Sequence, residues 1–427
     1  MNNRSKVIIR RCPRYDPTLI EKIIREGLEE FGLTPKIRGL VTIKPNVVLA
    51  HHKLAPSAFT RAEFLDGLLQ VLNLQKESVS RIAVAEKCGA GVPTSRMFRR
   101  AGYYKLKKKH RVKFLPIEEA KKKTIALEKG KIHKKIRTAR EIVDSDFLVY
   151  APKLKTNVLS QGLTGAIKLN MGILLDRQRM WNHNFNLDEK IVDLLEIGFP
   201  DFIATDAIET ATGGNQFTQH GRHLGLVIMA DNPLAHDVVC AHIFHLDPTR
   251  INHLRLAHER GYGPLSLEEI DIKGDISLPE IRQKTKGWET GLLKVDDVEG
   301  NIKVLSGDPY CVGGCHGVFL DWLYMIKDRK SDLWKDLPHW TVVIGKYKKD
   351  VSAEKLMIIG SCSEIQGEIK ARKRRSIRGC PPKHKDLILK LLFKKHILNP
   401  MFRLDLIIDS YLFLFLSWCR RFFSGRF

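Results

Sequence analysis

Apolar residues recur along this chain in short runs, with stretches of helical spacing between them. VTIKPN (41–46) runs from apolar positions into a polar loop and predicts a strand. TRAEFLDGLLQVLN (60–73) spaces its apolar residues as a helix does, with Thr60 as a candidate N-cap. RIAVAE (81–86), FLVYAPKLKTN (147–157), DFIATDAIE (201–209) and LGLVIMADN (224–232) predict further strands. PLAHDVVCAHIFHL (233–246) predicts a helix with proline in its first turn. Apolar strands alternating with helices predict an α/β fold, a mostly parallel open sheet flanked by helices. In such sheets, chemistry collects in the loops at the carboxyl ends of the strands. The polar residues follow that rule: Lys44 and Asn46 end one strand, Glu86 a second, Lys153 and Lys155 a third, Asp206 a fourth and Asp231 a fifth.

The pattern changes over residues 262–305, which reads as a lobe margin. A compact second unit follows, with NIKVLSGDPY as strand and loop, the Gly-rich CVGGCHG, and VFLDWLYMIKDR as a helix. TVVIGKY and KLMIIG predict two more strands, followed by a basic connection, GCPP, and a helix over HKDLILKLL. The expected organisation is an α/β substrate lobe over 1–300, a smaller cysteine-bearing α/β module over 301–396, and an amphipathic segment over 397–427. No internal repeat or low-complexity linker is visible.

Charge bears on partners rather than on fold. Lys and Arg number 72 against 48 Asp and Glu, a formal net charge of +24, with a basic stretch over residues 104–140. A solvated face is the plain reading of that stretch; an anionic lipid surface and nucleic acid are the others. It lacks the interleaved aromatics of single-strand binders, and no nucleic-acid reader motif is present, so nucleic acid stands as the weaker alternative. The N-terminus lacks a signal-peptide pattern, which predicts a cytoplasmic protein. In that reducing compartment the 8 cysteines are expected as thiols rather than disulfides. The C-terminal LDLIIDSYLFLFLSWCRRFFSGRF falls short of the ~18–20 apolar residues of a membrane span. Its arginines and aromatics predict an interfacial helix, attaching residues 403–427 to the surface of an anionic membrane. Docking on the protein's own core and a dimer contact are the alternatives.

Four thiols share a pattern. Cys311 and Cys315 form a C-x3-C pair in a Gly-rich loop after a strand, Cys362 follows the strand KLMIIG, and Cys380 precedes a helix. In a parallel sheet the first three gather at one edge, and the connection can return the fourth. Four converging thiolates are the usual ligands of a [4Fe–4S] cluster. Gly313, Gly314, Gly360 and Gly379 would let backbone approach the sulfurs, Pro381 and Pro382 would stiffen Cys380, and Arg372, Arg374, Arg375 and Arg378 would offset negative charge. A structural zinc is the second reading, although its usual knuckles are C-x2-C. Unligated or redox thiols are the third. GSC followed by GCPP, after a cysteine pair in a strand-end loop, resembles the cluster-binding module of the nickel–iron hydrogenase small subunit and its respiratory complex I counterpart. That resemblance covers roughly residues 303–392 and implies a flavodoxin-like module holding one [4Fe–4S] cluster on these four cysteines.

IKPN (43–46), PKLKTN (152–157), LTGAIKLNMG (163–172), NHN around His183, LDEKIVDL (187–194), DAIETATGGN (206–215) and ADNPLAHDVV (230–239) together resemble the domain-of-unknown-function-362 family. Asn157 stands where that family usually has histidine, and Glu86 where it often has aspartate. The resemblance implies architecture and a redox context. Lys44, Lys153, Lys155 and Lys168 are candidates for an anionic carboxylate or phosphate, and Asn46, Thr156, Thr164 and Asn170 for orienting it. Asp206, Asp231 and Asp237 could bind a cation or balance the lysines. His183 is the candidate acid–base group and Asp206 the candidate catalytic carboxylate. TGGNQ (212–216) lacks the ending of a P-loop and reads as a turn. The expected function is an iron–sulfur redox protein, transferring electrons to a partner protein or reducing an anionic small molecule, with flavin as a second candidate cofactor. A nucleic-acid-binding protein and a membrane-peripheral scaffold with a structural cluster are the alternatives.

Overall fold

The computed structural model describes residues 4–156, 162–213, 219–290, 300–307, 311–329, 331–337, 339–383, 386, 404 and 408–423. The larger sheet is built from β1 (Ser5–Arg11), β2 (Gly39–Pro45), β3 (Val79–Glu86), β4 (Val112–Pro116), β7 (Phe147–Ala151), β8 (Lys153–Lys155), β9 (Phe202–Thr212), β10 (His220–Ala230) and β11 (Ile270–Gly274). Its order is β11-β1-β10-β9-β7-β2-β3-β4, with β8 also on β9. Every pairing is parallel except those of β10 with β1 and β9. The fold is therefore mixed α/β with a large, mostly parallel sheet.

Two apolar layers cover its faces. On β2, Val41 and Ile43 point into one core and Leu40 into the other, as the two-residue period requires. The first core packs under helices Pro17–Glu30 and Ala62–Leu74, the second under Leu187–Asp193 and Pro233–Ile243. Thr60 does not cap its helix. The cap position is Arg61 without a side-chain bond, and the Thr60 hydroxyl donates to Ala151 O at 2.7 Å and accepts from Asn46 N at 3.1 Å. It thus ties two strand-end loops together instead. The basic stretch over 104–140 is folded rather than one solvated run. It supplies β4 and the antiparallel hairpin of β5 (Lys122–Ala126) and β6 (Lys135–Ala139), with Phe114, Leu115 and Ile136 buried.

The smaller sheet has the order β12 (Ile302–Ser306), β13 (Trp340–Tyr347), β14 (Val351–Ile365), β15 (Ile369–Ile377), all parallel. Helices Gly317–Arg329 and Ser331–Lys335 make the crossover from β12 to β13. The later crossovers carry no helix: Thr341 pairs with Leu356 and Leu356 with Arg374, so the chain coils from strand directly to strand. The expected basic connection after Cys362 is thus largely the edge strand β15, exposed from Arg372 to Ser376. Backbone pairing with β14, not side-chain burial, holds it, so its charges hid it from a reading of hydrophobic pattern. The helix expected over HKDLILKLL lies, apart from Asp386, outside the described residues. Among the described residues, no helix is long and apolar enough to cross a membrane.

Candidate functional site

At the carboxyl ends of the parallel strands the structure gathers a buried polar cluster. Lys44 Nζ meets Glu86 Oε2 at 2.7 Å, with both side chains essentially inaccessible. Burial lowers the lysine pKa and raises that of the carboxyl, while each charge opposes the shift of the other. Gly172 closes over the pair, and a Cβ there would stand 2.1 Å from Glu86 Oε1 and 2.4 Å from Lys44 Nζ. Lys153 Nζ lies 3.0 Å from Asp206 Oδ1 and 2.7 Å from the Tyr15 hydroxyl, which donates to Asp206 at 2.9 Å. Burial first, then Asp206, pushes the Tyr15 phenol far up. Lys44 and Lys153 are therefore both held in ion pairs.

Lys155 differs. Its Nζ donates to Ala58 O at 2.9 Å, and burial, followed by the charge of Lys168, brings its pKa down to about 7. In the same strand-end region, Asn46 Oδ1, Thr156 Oγ1, Thr164 Oγ1 and Gln219 Oε1 are buried and have no hydrogen-bond partner among the described residues. Thr164 N donates to Lys155 O at 2.9 Å, and Gln219 Nε2 to Thr156 O at 2.6 Å. Orphaned acceptors and hydroxyls beside a lysine are the features expected of a polar ligand site.

Other candidates serve the frame. Asn170 accepts from the Tyr150 hydroxyl and donates to Gly198 O at 3.1 Å. Asp237 accepts from Ala166 N at 2.6 Å and Ile167 N at 3.0 Å, and its Oδ1 lies 2.7 Å from His236 Nδ1. The structure does not bring Asp231 to the cluster. It follows β10, which runs antiparallel, so Ala230 pairs with Ile203 at the beginning of β9. There Asp231 accepts from Lys6 N at 3.1 Å, and burial raises its pKa. Asn157 lies outside the described residues.

His183 sits elsewhere again, against the thiol loop. Its Nδ1 is 2.8 Å from Gly313 O and so carries the proton. Burial, then the charge of Lys190, lowers its pKa to about 4, which leaves the ring neutral near pH 7. The next residue, Asn184, donates from Nδ2 to Cys380 Sγ at 3.2 Å, and Phe185 N–H reaches Cys311. A Cβ on Gly313 would stand 2.8 Å from Leu187 Cδ2 and 2.9 Å from Asn184 O. Residues 183–187 of the larger lobe thus form a wall of the cysteine loop.

Within that loop, Cys311 accepts from the Cys315 thiol and from the N–H groups of Cys315, Gly314 and Phe185, which together lower its pKa to about 6. The Cys315 thiol is raised by donating to Cys311, by burial, and by the charges of Cys311, Cys362 and Cys380. Cys362 is raised by burial and by Cys311 and Cys380. All four thiols therefore stand within electrostatic reach of one another's neighbourhood. Cys315 is buried, Cys311 half-buried, and Cys362 and Cys380 exposed. Two of the four expected glycines front a sulfur: a Cβ on Gly314 would come 2.5 Å from Cys311 Sγ, and one on Gly360 2.6 Å from Cys315 Sγ. Gly313 meets the larger lobe instead, and Gly379 meets Pro381 and Pro382. Among the described residues, no three His, Cys, Asp or Glu side chains form a group that could hold a metal ion.

Residues 41–242 match the family described as Domain of unknown function (DUF362). That DUF362 region contains the Lys44–Glu86 pair, Lys155 with its orphaned neighbours, and the 183–187 wall, and it ends before the four cysteines. No curated protein matches the chain. Among solved structures, the lactate racemase apoprotein from Thermoanaerobacterium thermosaccharolyticum is similar with a TM-score of 0.37 and 11% identity, over 81% of this chain and 69% of that one. Several residues that matter here escaped the sequence reading. Tyr15 precedes the DUF362 region, in a segment with no motif. Arg179 donates to Cys88 O, Lys87 O and Met171 O, and Lys190 to Arg179 O and Trp181 O. These two buried cations pin the segment leading to His183, yet in sequence they look like ordinary surface charges.

Proposed function

We propose that this chain is an iron–sulfur redox protein, holding a [4Fe–4S] cluster on Cys311, Cys315, Cys362 and Cys380 and serving an anionic substrate bound at Lys155. When bound, such a cluster supplies reversible one-electron transfer. The observation that carries the reading is the contact between residues 183–187 and the thiol loop, because it couples the four cysteines physically to the DUF362 region. The donor set fits. Cys311 is favoured as a thiolate by its hydrogen-bond donors, and Asn184 donates to Cys380. A cubane takes one thiolate on each of four irons, so its sulfurs stand a cluster's width apart, wider than at a single ion.

Chain residues divide the remaining tasks. Lys155 offers a cation in a dry site, and Asn46, Thr156 and Thr164 offer polar atoms that orient a carboxylate or phosphate. Lys168 lies within electrostatic range of both Lys155 and His183, bridging the anion site and the thiol wall. Neutral His183 holds Gly313 through its Nδ1 proton, fixing the loop between Cys311 and Cys315. Exposed Cys362 and Cys380 leave one side open to a redox partner protein. Anaerobically purified protein should absorb broadly near ~400 nm and bleach with dithionite. A Cys380→Ala variant should lose that band, and its retention would overturn the ligand set.

A further inference from the structure

The last described helix, Leu414–Phe423, is attached in reverse of a helix docked on its own core. Its one buried residue is Ser417, whose hydroxyl donates to Glu119 Oε1 at 2.8 Å. Arg420 grips the same carboxylate at 3.0 and 2.7 Å and donates to Ser95 Oγ at 2.9 Å. One turn earlier, the Arg96 guanidinium lies 4.6 Å from the centre of the Phe413 ring. The polar side of the helix therefore faces the body. The aromatic side faces out: Phe415 is 58% exposed, Trp418 47%, Phe422 56% and Phe423 85%. Phe415, Trp418 and Phe422 stack in succession, 6.1 and 5.5 Å between centroids, at helical spacing along one face.

Exposed basic side chains lie on the body near the point where Arg420 anchors this helix. Tyr104 lies within electrostatic range of both Arg420 and Arg99, and Lys107 stands 4.9 Å over the Tyr104 ring. Arg99, Lys105, Lys107 and Lys108 are exposed. An apolar strip beside clustered cations is the form that lies in the headgroup region of an anionic bilayer. Two copies meeting face to face would instead bring these like charges together.

We propose that the Phe415–Trp418–Phe422 face inserts into the interface of an anionic lipid bilayer, with Arg99 and Lys107 against the headgroups. The Glu119 grip presents the apolar face outward before any lipid is met. This membrane docking does not depend on the cysteines binding iron.

The test is flotation of the full chain with vesicles of equimolar phosphatidylcholine and phosphatidylglycerol, and with phosphatidylcholine alone. Binding to the anionic vesicles should be about tenfold tighter and should weaken with salt. Replacing both exposed rings, Trp418→Ser with Phe422→Ser, should weaken it by about tenfold or more. Phe423→Ser, at the most exposed ring, gives a smaller loss in the same direction and serves if the double variant misfolds. Unchanged binding by the variants, equal binding to both vesicles, or no vesicle binding would overturn the proposal. So would a concentration-dependent dimer that the double variant disperses, since the face would then belong to a second copy.

Discussion

Replacing Lys44 with methionine probes the buried polar cluster where its geometry is tightest. The Nζ–Oε2 distance of 2.7 Å corresponds to about 6 kcal/mol of gross attraction at an effective dielectric of ~20. Desolvation of both groups offsets much of it, so the pair contributes little over an apolar equivalent. Removing one partner is another matter, because Glu86 stays buried at 4% exposure with no hydrogen-bonded cation and only the charge of Arg179 to oppose its burial. That costs about 3–5 kcal/mol. Glu86 keeps bonds from Lys87 N at 2.8 Å and Val47 N at 3.3 Å, which places the loss near the lower end, about 3 kcal/mol. At about 2–4 °C per kcal/mol, the melting temperature should fall by roughly 6–12 °C.

The loss has a sign in pH. Burial already raises the Glu86 carboxyl, and Lys44 is the first force opposing it. Without Lys44 the folded carboxyl lies further above its unfolded value, so the folded state takes its proton first. The penalty is then absent below the unfolded pKa of about 4.3 and grows as pH rises through the folded one. Urea melts of Lys44→Met against the unaltered chain should differ more near pH ~8 than near pH ~5. Adding Glu86→Gln, which keeps the backbone bonds without the charge, should recover about half the loss at the higher pH. A Lys44→Met loss under about 1 kcal/mol, or one that grows toward acid, would refute this reasoning.

Two further outcomes follow from the same cluster. Burial lowers Lys155 to about 7, so acetate, which keeps a single charge over this range, should bind more tightly near pH ~6 than near pH ~8 by calorimetry, and Lys155→Met should remove that dependence; a pH-independent affinity would count against an ammonium at this site. Gly172→Ala would drive a methyl to 2.1 Å from Glu86 Oε1 and should cost about 1–3 kcal/mol in a denaturant melt, whereas a neutral substitution would mean the ion pair has room to move.

Legibility in the sequence depended on which force left a pattern. The strands β2, β3, β7, β13 and the middle of β14 (Leu356–Gly360) were readable because both their faces are covered, leaving apolar runs. Their polar terminal residues were readable for a geometric reason: parallel strands end on the same side. Asp231 broke the rule because β10 runs the other way, and nothing in LGLVIMADN reports strand direction. β15 was hidden by its own charges. That Lys44 would meet Glu86, and Lys153 Asp206, could not be read from strand ends alone, since pairing depends on sheet order. The contact of His183 and Asn184 with the cysteine loop joins residues more than a hundred positions apart, a separation that no spacing rule encodes.

The measurement that tests the central claim most directly is the iron and acid-labile sulfide content of the full chain purified without oxygen. About four irons and about four sulfides per chain are predicted, with both lost in Cys380→Ala. Protein carrying neither, or carrying zinc in their place, would contradict a cluster at Cys311, Cys315, Cys362 and Cys380.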